Sequence, residues 1–530
     1  MIPKKWTLFA NHQNKAGLLS SLFYIVVILL LGIPIWYKTT TPLRHSLPDI
    51  SSLLVHSQMI SNQIEITVVS IGDQQRDQLR NELVDNWKGN FQGNVAFRYA
   101  WKVRQLVKEE KQIFVASQSL YQIDRMLDEL ESHRIKGHLF IYLIPENTIT
   151  ELVSKSVLYG SSRFAYISVK NDELKSEKSN EKPLSEIIVE TVETMLEPKR
   201  SSKSELLRSE ASKAVDTLTF LLNNEIDILI NLVMEDVEEA IEFQDSKRFK
   251  ELKNITRIAF LKQSGIFELI DAKITTQMVY YALPPSFIDS HLANSEKNNR
   301  LFKTSSVPQL LNAIESRIVE HDNKQSYLLT VYIPSQSSNS PLFFFEESTG
   351  TKSNAIVTPY RGGILVWNDA DDFNVGFKSF MRNLIGLNPY ENDDYLVKNN
   401  FFTKWELDAV IRKVTLLQLA KTLSSLESIE KLLGKVSNIV ILEEIATKMH
   451  YAVKLSHESM DHLAIANLEG AFNLSCKAYK ASETAFFDPS LLALLYFPDD
   501  QKYAVYFPLF LPVSLPLIAS IHHIIRSMNK

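Results

Sequence analysis

Cysteine is nearly absent from this chain of 530 residues, which contains only Cys476. A single cysteine cannot form an intrachain disulfide bond. Proteins of oxidising compartments commonly carry such bonds, so the cysteine count taken alone favours the cytosol. It carries little weight for a large domain, because a large hydrophobic core needs no covalent cross-links.

Positive charge is not in excess either. The chain has 57 Lys and Arg residues against 62 Asp and Glu residues, which gives a formal net charge of -5. We expect no nucleic-acid partner, because no basic field is present to hold a phosphate backbone. Hydrophobic residues make up 45% and charged residues 22%, the composition of a folded chain. The length allows two to four domains or one large, elaborated domain.

Signatures of catalysis are also missing. The stretch "EESTGTKS" (346 to 353) approaches a phosphate-binding loop, but it lacks the first glycine, and Thr351 separates Gly350 from Lys352. The chain has no G-x-S-x-G nucleophile elbow. Cys476 lies in a predicted helix without a nearby glycine-rich turn to supply an oxyanion hole. We therefore interpret it as a structural thiol and not as a nucleophile.

Three histidines near the C-terminal end do not have the spacing of a metal site. His450 and His457 lie two turns apart on one predicted helix face, too far for one ion, and His462 lies off that face. No His-x-x-x-His pair is present. We predict no catalytic residue, no cofactor and no metal.

A long uncharged run near the N-terminus predicts a membrane anchor. Residues 16–37 carry no formal charge and would span about 33 Å as a helix, enough for a hydrocarbon core. A cleaved signal peptide is shorter and ends in small residues, whereas this run ends in Pro34, Ile35, Trp36 and Tyr37. Trp36 and Tyr37 suit the interfacial aromatic belt. We interpret the run as an uncleaved anchor.

A second uncharged run, residues 503–521, predicts a C-terminal anchor. Cytosolic flanks of membrane spans carry more Lys and Arg, and on this rule both termini are cytosolic. The intervening chain would then lie in the lumen of the endoplasmic reticulum or of a later compartment. The basic residues that flank the first run are Lys4, Lys5 and Lys15 before it and Lys38 and Arg44 after it; those that flank the second are Lys502 before it and Arg526 and Lys530 after it.

Three prolines interrupt the second run at intervals of four residues, so Pro508, Pro512 and Pro516 share one helix face. Each removes a backbone donor and clashes with the carbonyl group four residues earlier. In lipid the freed carbonyl groups need other partners. The face belongs either to a kinked, solitary anchor or to one that packs against other membrane subunits, and we favour the second alternative.

Between the anchors, strand and helix patterns alternate, which predicts a large mixed α/β domain with partly parallel strands. From Lys404 two long helices, separated at Gly434, predict a helical hairpin. Strands are predicted at "QIEITVVSIG", "NVAFRYAWKV", "HLFIYLIP", "RFAYISV", "TQMVYYAL", "SYLLTVYI", "PLFFFE" and "GGILVWN", and helices at 73–87, from about Ser117, at 184–198 and at about 204–245.

These patterns divide the chain into segments. We predict a cytosolic tail (1–15), a first transmembrane helix (16–37), a luminal α/β lobe (38–169), a charged loop (170–183), a second mixed α/β part (184–400), the hairpin and a juxtamembrane segment (401–502), a second transmembrane helix (503–521) and a cytosolic tail (522–530).

Two N-glycosylation sequons, Asn254-Ile-Thr and Asn473-Leu-Ser, fall within the segment that we place in the lumen. Such triplets also arise by chance. They agree with the luminal placement and do not establish it.

Three stretches resemble one known family. "AFFDPSLLALLYFPDDQKYAVYFPLFLP" (485 to 512) closely resembles the phosphatidylinositol-glycan class S (PIG-S) family, "LGIPIWYKTTTPLRHSLP" resembles the N-terminal signature of that family, and "RGGILVWN" its mid-chain glycine pair. The order of these stretches and the two-anchor layout extend the resemblance over essentially the whole chain. The long C-terminal stretch is the specific part.

The resemblance implies a subunit of the GPI transamidase of the endoplasmic reticulum membrane, which joins a GPI lipid to the C-terminus of proproteins. It implies other subunits as partners, among them a cysteine-protease-like subunit that carries the nucleophile, and a membrane-lipid environment. It leaves open whether this chain contacts the GPI lipid or the proprotein. No active-site residue is carried over. The alternatives are a hydrolase and a free-standing two-anchor luminal receptor or chaperone.

Overall fold

The computed structural model of the protein describes residues 17, 19–32, 34–35, 38, 45–53, 61–70, 76–87, 89–92, 95–117, 119–130, 136–145, 156–169, 183–196, 225–234, 237–246, 249–250, 252–254, 271–279, 283, 287–293, 299–316, 326–335, 340–347, 350–358, 362–368, 373–385, 387, 401–435, 441–489, 491 and 499–528. The chain divides into two compact units. The α/β unit comprises Ser51–Lys421 and Lys454–Lys480, and the terminal unit comprises Met1–Ile50, Thr422–Val453 and Ala481–Lys530.

The N-terminal part of the α/β unit forms a six-stranded sheet. Its elements are β1 (Ser61–Ser70), α1 (Arg76–Asn86), β2 (Gly89–Gln92), β3 (Val95–Gln105), α2 (Lys108–Ala116), α3 (Leu120–Glu129), β4 (His138–Pro145), β5 (Val157–Tyr159), β6 (Phe164–Val169) and α4 (Leu184–Leu196). The strand order is β2-β3-β1-β4-β6-β5. The four inner strands are parallel and the two edge strands antiparallel.

Both faces of this sheet are covered, which explains the nearly unbroken apolar run of β4. Successive side chains of a strand point to opposite faces. Ile141 therefore packs in one cluster with Ile188 and Val192 of α4, while Tyr142 packs in another with Ile123 of α3.

The second part of the α/β unit forms a five-stranded and a three-stranded sheet. Its elements are β7 (Glu225–Met234), α5 (Val237–Asp245), β8 (Asp271–Val279), α6 (Phe287–Ser290), β9 (Arg300–Lys303), α7 (Val307–Glu315), β10 (Ser326–Ile333), β11 (Leu342–Glu346), β12 (Thr351–Ser353), β13 (Ala355–Thr358), β14 (Gly362–Val366) and α8 (Phe373–Leu384). The strand orders are β13-β14-β10-β7-β8 and β12-β11-β9. In the larger sheet all pairs are parallel except β13 with β14.

Long helices form the C-terminal part of the chain. They are α9 (Lys404–Lys435), α10 (Glu443–Ala464), α11 (Leu468–Phe486) and α12 (Asp499–Met528), and the division between the two units falls within the first three. Near the N-terminus, residues 19–27 are α-helical and Ile28–Gly32 continue as a π-helix.

The predicted mixed α/β class is confirmed, and several predicted elements match closely. β4 and β10 coincide with "HLFIYLIP" and "SYLLTVYI", and α9 begins at the predicted residue, Lys404. β4 and β10 are short apolar runs between polar or turn-forming residues, and α9 shows a helical periodicity.

Two predicted helices are wrong in part. Residues 225–234, assigned to a helix over 204–245, form β7, because a continuous apolar run fits a buried strand as well as a buried helix. The second long helix of the hairpin is two helices, α10 and α11. Ala466 between them has a φ of 58°, a left-handed conformation that ends the first helix.

Judged by length and hydropathy, none of the helices among the described residues meets the requirements for crossing a membrane. The two predicted anchors are therefore not confirmed, although α12 covers the whole of the second uncharged run. The predicted segment boundaries stay predictions as well. The tail 1–15, Trp36, Tyr37 and nearly all of the charged loop 170–183 lie outside the described residues.

Candidate functional site

Helix α9 begins with a capping box inside the α/β unit. Glu406 N donates to Thr403 Oγ1 at 3.4 Å, and Thr403 N donates to Glu406 Oε2 at 2.9 Å. The Thr403 hydroxyl donates to the same carboxylate oxygen at 2.8 Å. This Thr-x-x-Glu pattern satisfies backbone donors that the first turn of a helix leaves without intrahelical partners.

The carboxylate of Glu406 also binds Arg382 of α8. Arg382 Nη2 donates to Oε1 at 2.5 Å, and Arg382 Nη1 donates to Oε2 at 3.0 Å. The two side chains are 1% and 0% exposed. Two parallel hydrogen bonds from one guanidinium fix both the distance and the angle between the partners. The pair therefore holds the first turn of α9 against α8.

Asp408, one turn from the cap, binds the starts of two neighbouring parallel strands. Arg163, just before β6, donates from Nε to Oδ2 at 2.5 Å and from Nη2 to Oδ1 at 2.8 Å. The backbone N–H of Gly137, just before β4, donates to Oδ2 at 3.0 Å. Gly137 has a φ of 89°, which favours glycine. Burial tends to lower the pKa of Arg163, but the charge of Asp408 and its hydrogen bonds raise it above the usual value.

Two further residues of the first turn contact the six-stranded part of the unit. Trp405 is 1% exposed within the sheet core, and its Nε1 donates to the carbonyl oxygen of Gly160 at 3.2 Å. Lys404 Nζ lies 2.6 Å from Asp128 Oδ2 of α3. We call this set of contacts the helix junction, formed by Asp128, Arg163, Arg382, Thr403, Lys404, Trp405, Glu406 and Asp408.

A buried carboxylate lies beside the junction. Asp124 of α3 is 1% exposed and accepts hydrogen bonds from Ser161 N at 2.9 Å and from Tyr166 OH at 3.1 Å. It also accepts one from the Ser161 hydroxyl. Burial raises the pKa of Asp124, while these donors oppose the rise. The donors fix the β5–β6 turn that presents Gly160 to Trp405.

The paired side chains of the helix junction are suited to holding α9 against its neighbours and not to catalysis. The carboxylates of Asp128, Glu406 and Asp408 each face a cation, and the last two also accept from backbone N–H groups. A general base or nucleophile needs a lone pair directed at a substrate, which such pairing does not provide. Within the ranges that the structure describes, no group of three His, Cys, Asp or Glu side chains could hold a metal ion.

The residues considered for catalysis and metal binding are not brought together. Cys476 is buried at 3% exposure in α11. His450 Nε2 lies 3.1 Å from the carbonyl oxygen of Ser46, and His457 Nε2 lies 3.5 Å from Ser52 Oγ. His462 Nδ1 lies 3.0 Å from Asn467 Nδ2. The three histidines have three different partners.

The residues predicted for modification and membrane packing are exposed. Asn254 and Asn473 lie on the surface of helical segments, so both asparagine side chains are open to solvent. Pro508, Pro512 and Pro516 lie inside α12 and are likewise exposed. Neither the sugar nor the packing partner is established by exposure, and both stay predictions.

A sequence model of the family described as "Phosphatidylinositol-glycan biosynthesis class S protein" matches residues 23–530. The chain belongs to the PIG-S family. The predicted family resemblance is thereby confirmed.

Named relatives of this PIG-S family member cover nearly its whole length. The "GPI-anchor transamidase component PIGS" of Homo sapiens is 28% identical over 98% of this chain and 97% of that protein. The protein of the same name from Mus musculus is also 28% identical, over 97% of this chain and 96% of its own length. The "GPI transamidase component PIG-S homolog" of Schizosaccharomyces pombe is 21% identical over 94% of this chain and 82% of that protein.

The helix junction of this PIG-S family member was not predicted from its sequence. One signal was readable, because Thr403 and Glu406 form the Thr-x-x-Glu pattern of a capping box just where the helix begins. The pairing of Asp408 with Arg163 joins positions 245 residues apart. No local pattern predicts such a pair, since it depends on how the sheet and the helix pack.

Proposed function

We propose that this chain is a non-catalytic subunit of the GPI transamidase, which supports attachment of GPI anchors to the C-terminus of proproteins. The observation that carries the proposal is the family match over residues 23–530. The relatives named as transamidase components align over nearly their full length, which makes a shared role of the whole chain the simplest interpretation. The nucleophile then belongs to another subunit of the complex.

The helix junction supports a structural role. Its buried pairs fix the start of α9 relative to α8 and to the six-stranded sheet within the α/β unit. Each arginine in these buried pairs donates two hydrogen bonds to its carboxylate, which fixes the distance and the angle between the partners. Separating the partners is unfavourable, because it leaves an unpaired buried charge. A subunit that assembles or stabilises a complex needs such fixed geometry to present its surfaces. We propose that this is how the fold serves the transamidase.

The competing hypothesis is a free-standing luminal receptor or chaperone without transamidase partners. Purification of the tagged chain in mild detergent distinguishes the two. We expect stoichiometric co-purification of several membrane proteins, including one with the sequence features of a cysteine protease. Recovery of this chain alone, from cells that express it at its natural level, would support the receptor and contradict the subunit.

We further propose that the chain is held in the endoplasmic reticulum membrane by two spans, residues 16–37 and 503–521, with its main domain in the lumen. The support is the absence of formal charge in both runs and the exposure of many large apolar side chains among their described residues. α12 has 30 residues and is about 45 Å long at the rise of an α-helix. Exposing so much apolar surface to water is unfavourable, so we expect lipid or a neighbouring subunit to cover it. Exposed apolar residues include Leu19, Phe23, Leu30, Phe507, Leu515 and Ile518.

The three prolines of α12 are expected to mediate assembly. Replacing Pro508, Pro512 and Pro516 together by leucine restores three backbone N–H donors and changes the shape of the helix face that the prolines share. We expect partner recovery in mild detergent to fall about threefold, which corresponds to about 0.6 kcal/mol, the average measured for one interhelical hydrogen bond in a membrane. The matched control places leucine at Val505, Val513 and Ala519, which keeps the prolines. Equal recovery from both variants would refute a packing role for the proline face.

The two sequons are expected to carry glycans. Both asparagines are exposed, and the luminal placement brings them to the compartment where N-glycosylation occurs. Treatment with an N-glycosidase should increase the electrophoretic mobility of the chain, and Asn254→Gln and Asn473→Gln should each remove one step of that shift. A chain whose mobility does not change would argue against the luminal placement.

A further inference from the structure

Arg412 is a buried cation that the helix junction does not use. It lies on α9 four residues after Asp408, on the same helix face, and is 4% exposed. Its Nε has no hydrogen-bond partner among the residues that the structure describes. Buried polar groups in proteins nearly always have a partner, either in the chain or in a bound water or ion. An arginine buried in this way therefore requires an explanation.

Asp408, the carboxylate whose charge acts on Arg412, does not supply the missing partner. Both oxygens of Asp408 already accept hydrogen bonds, from Arg163 and from the backbone N–H of Gly137. Arg163 neutralises the charge of Asp408, so Arg412 is the surplus cation of the group. The phenolic group of Tyr99, on β3, is the other titratable group close enough to act on Arg412.

Arg412 keeps its charge at neutral pH. Burial lowers the pKa of Arg412 to about 10, and the negative charge of Asp408 opposes that decrease. A guanidinium group with a pKa near 10 is still protonated in a neutral compartment. Arg163 and Arg412 share the single negative charge of Asp408, so these three groups carry one net positive charge. A further counter-charge at this position would stabilise the fold.

We propose that Arg412 is the centre of a buried site for a small oxyanion of the phosphate or carboxylate class. The planar guanidinium presents its N–H donors in a fork that matches two oxygens of such an anion. The ligand must be small, because only 4% of Arg412 is accessible. We identify it with a free ion, which binds as a structural component of the α/β unit and not as a substrate.

Thermal unfolding of the purified full-length chain tests the proposal. Sodium phosphate, sodium acetate and sodium chloride are compared at constant ionic strength and pH. We expect phosphate or acetate to raise the unfolding midpoint of the wild-type chain saturably, by about 2 °C or more, whereas chloride does not. Arg412→Met should lose this rise, and Lys413→Gln, which removes an exposed cation at the neighbouring position, should keep it.

Arg412→Met is expected to fold, because it replaces a buried charge whose Nε has no hydrogen-bond partner by an apolar side chain of similar length. Equilibrium dialysis with radiolabelled phosphate or acetate provides a measurement that does not depend on unfolding. We expect about one saturable site per wild-type chain and none in Arg412→Met. Absence of a saturable site in the wild-type chain, or equal binding by both chains, would overturn the proposal and mark any bound ion as adventitious.

Discussion

Replacing Glu406 by glutamine is expected to lower the free energy of unfolding of the α/β unit by about 3–5 kcal/mol, the usual cost of breaking a buried ion pair. The change leaves the guanidinium of Arg382 desolvated and without its counter-charge, since both side chains are essentially inaccessible. It also weakens the capping box, because an amide is a poorer acceptor for the backbone N–H of Thr403. Chemical denaturation followed by tryptophan fluorescence measures the change, with Trp405 adjacent to the pair.

Two further variants make this result specific. Glu427→Gln removes the partner of Lys431, whose own side chain is 71% exposed, and is expected to cost about 0.5 kcal/mol or less. The double replacement Arg382→Met with Glu406→Leu removes both charges and should cost less than Glu406→Gln alone, because no buried charge is left unpaired. If Glu406→Gln is no more destabilising than Glu427→Gln, the helix junction does not hold α9 in place.

Replacing Gly362 by alanine is expected to destabilise the α/β unit by about 3 kcal/mol or more, through strain and steric overlap together. Gly362 begins β14 with a φ of 113°, a conformation that side chains disfavour. A Cβ at this position would also overlap the carbonyl group of Leu328 on the neighbouring strand β10. The expected readouts are a lower denaturation midpoint and faster hydrogen exchange in β10 and β14.

Gly434 provides the matched control for this substitution. It lies near the end of α9, and a Cβ there meets no atom of the described chain within 4 Å. Gly434→Ala should leave stability unchanged or raise it by up to about 1 kcal/mol, because alanine favours the helix. If the two alanine variants are equally stable, close approach of β10 to the start of β14 is not what requires glycine at position 362.

Features that depend on local sequence were predicted better than features that depend on contacts between distant segments. β4 and β10 were predicted with their bounds, because each is a short apolar run between polar neighbours. β7 was assigned to a helix, because a continuous apolar run has no periodicity that distinguishes a buried strand from a buried helix. The strand orders were not predicted, since pairing depends on crossovers between distant segments.

The family could likewise be predicted from local sequence, whereas the ion pairs of the helix junction could not. The C-terminal stretch 485–512 identified the family from local sequence, and the match over residues 23–530 agrees with it. The ion pairs of Glu406 and Asp408 were not predicted, because their partners lie 24 and 245 residues away and meet only in the packed unit. The burial of Arg412 was not predicted either, because nothing in the local sequence distinguishes a buried arginine from one on the surface.

Complementation of a deletion tests the central claim most directly. The gene for this chain is deleted, and the surface level of GPI-anchored proteins is measured by flow cytometry before and after the chain is restored. The proposed role predicts that deletion removes these proteins from the cell surface and that the restored chain returns them. A deletion strain with normal surface levels, or a restored chain that is abundant and leaves the surface depleted, would contradict a role in GPI attachment.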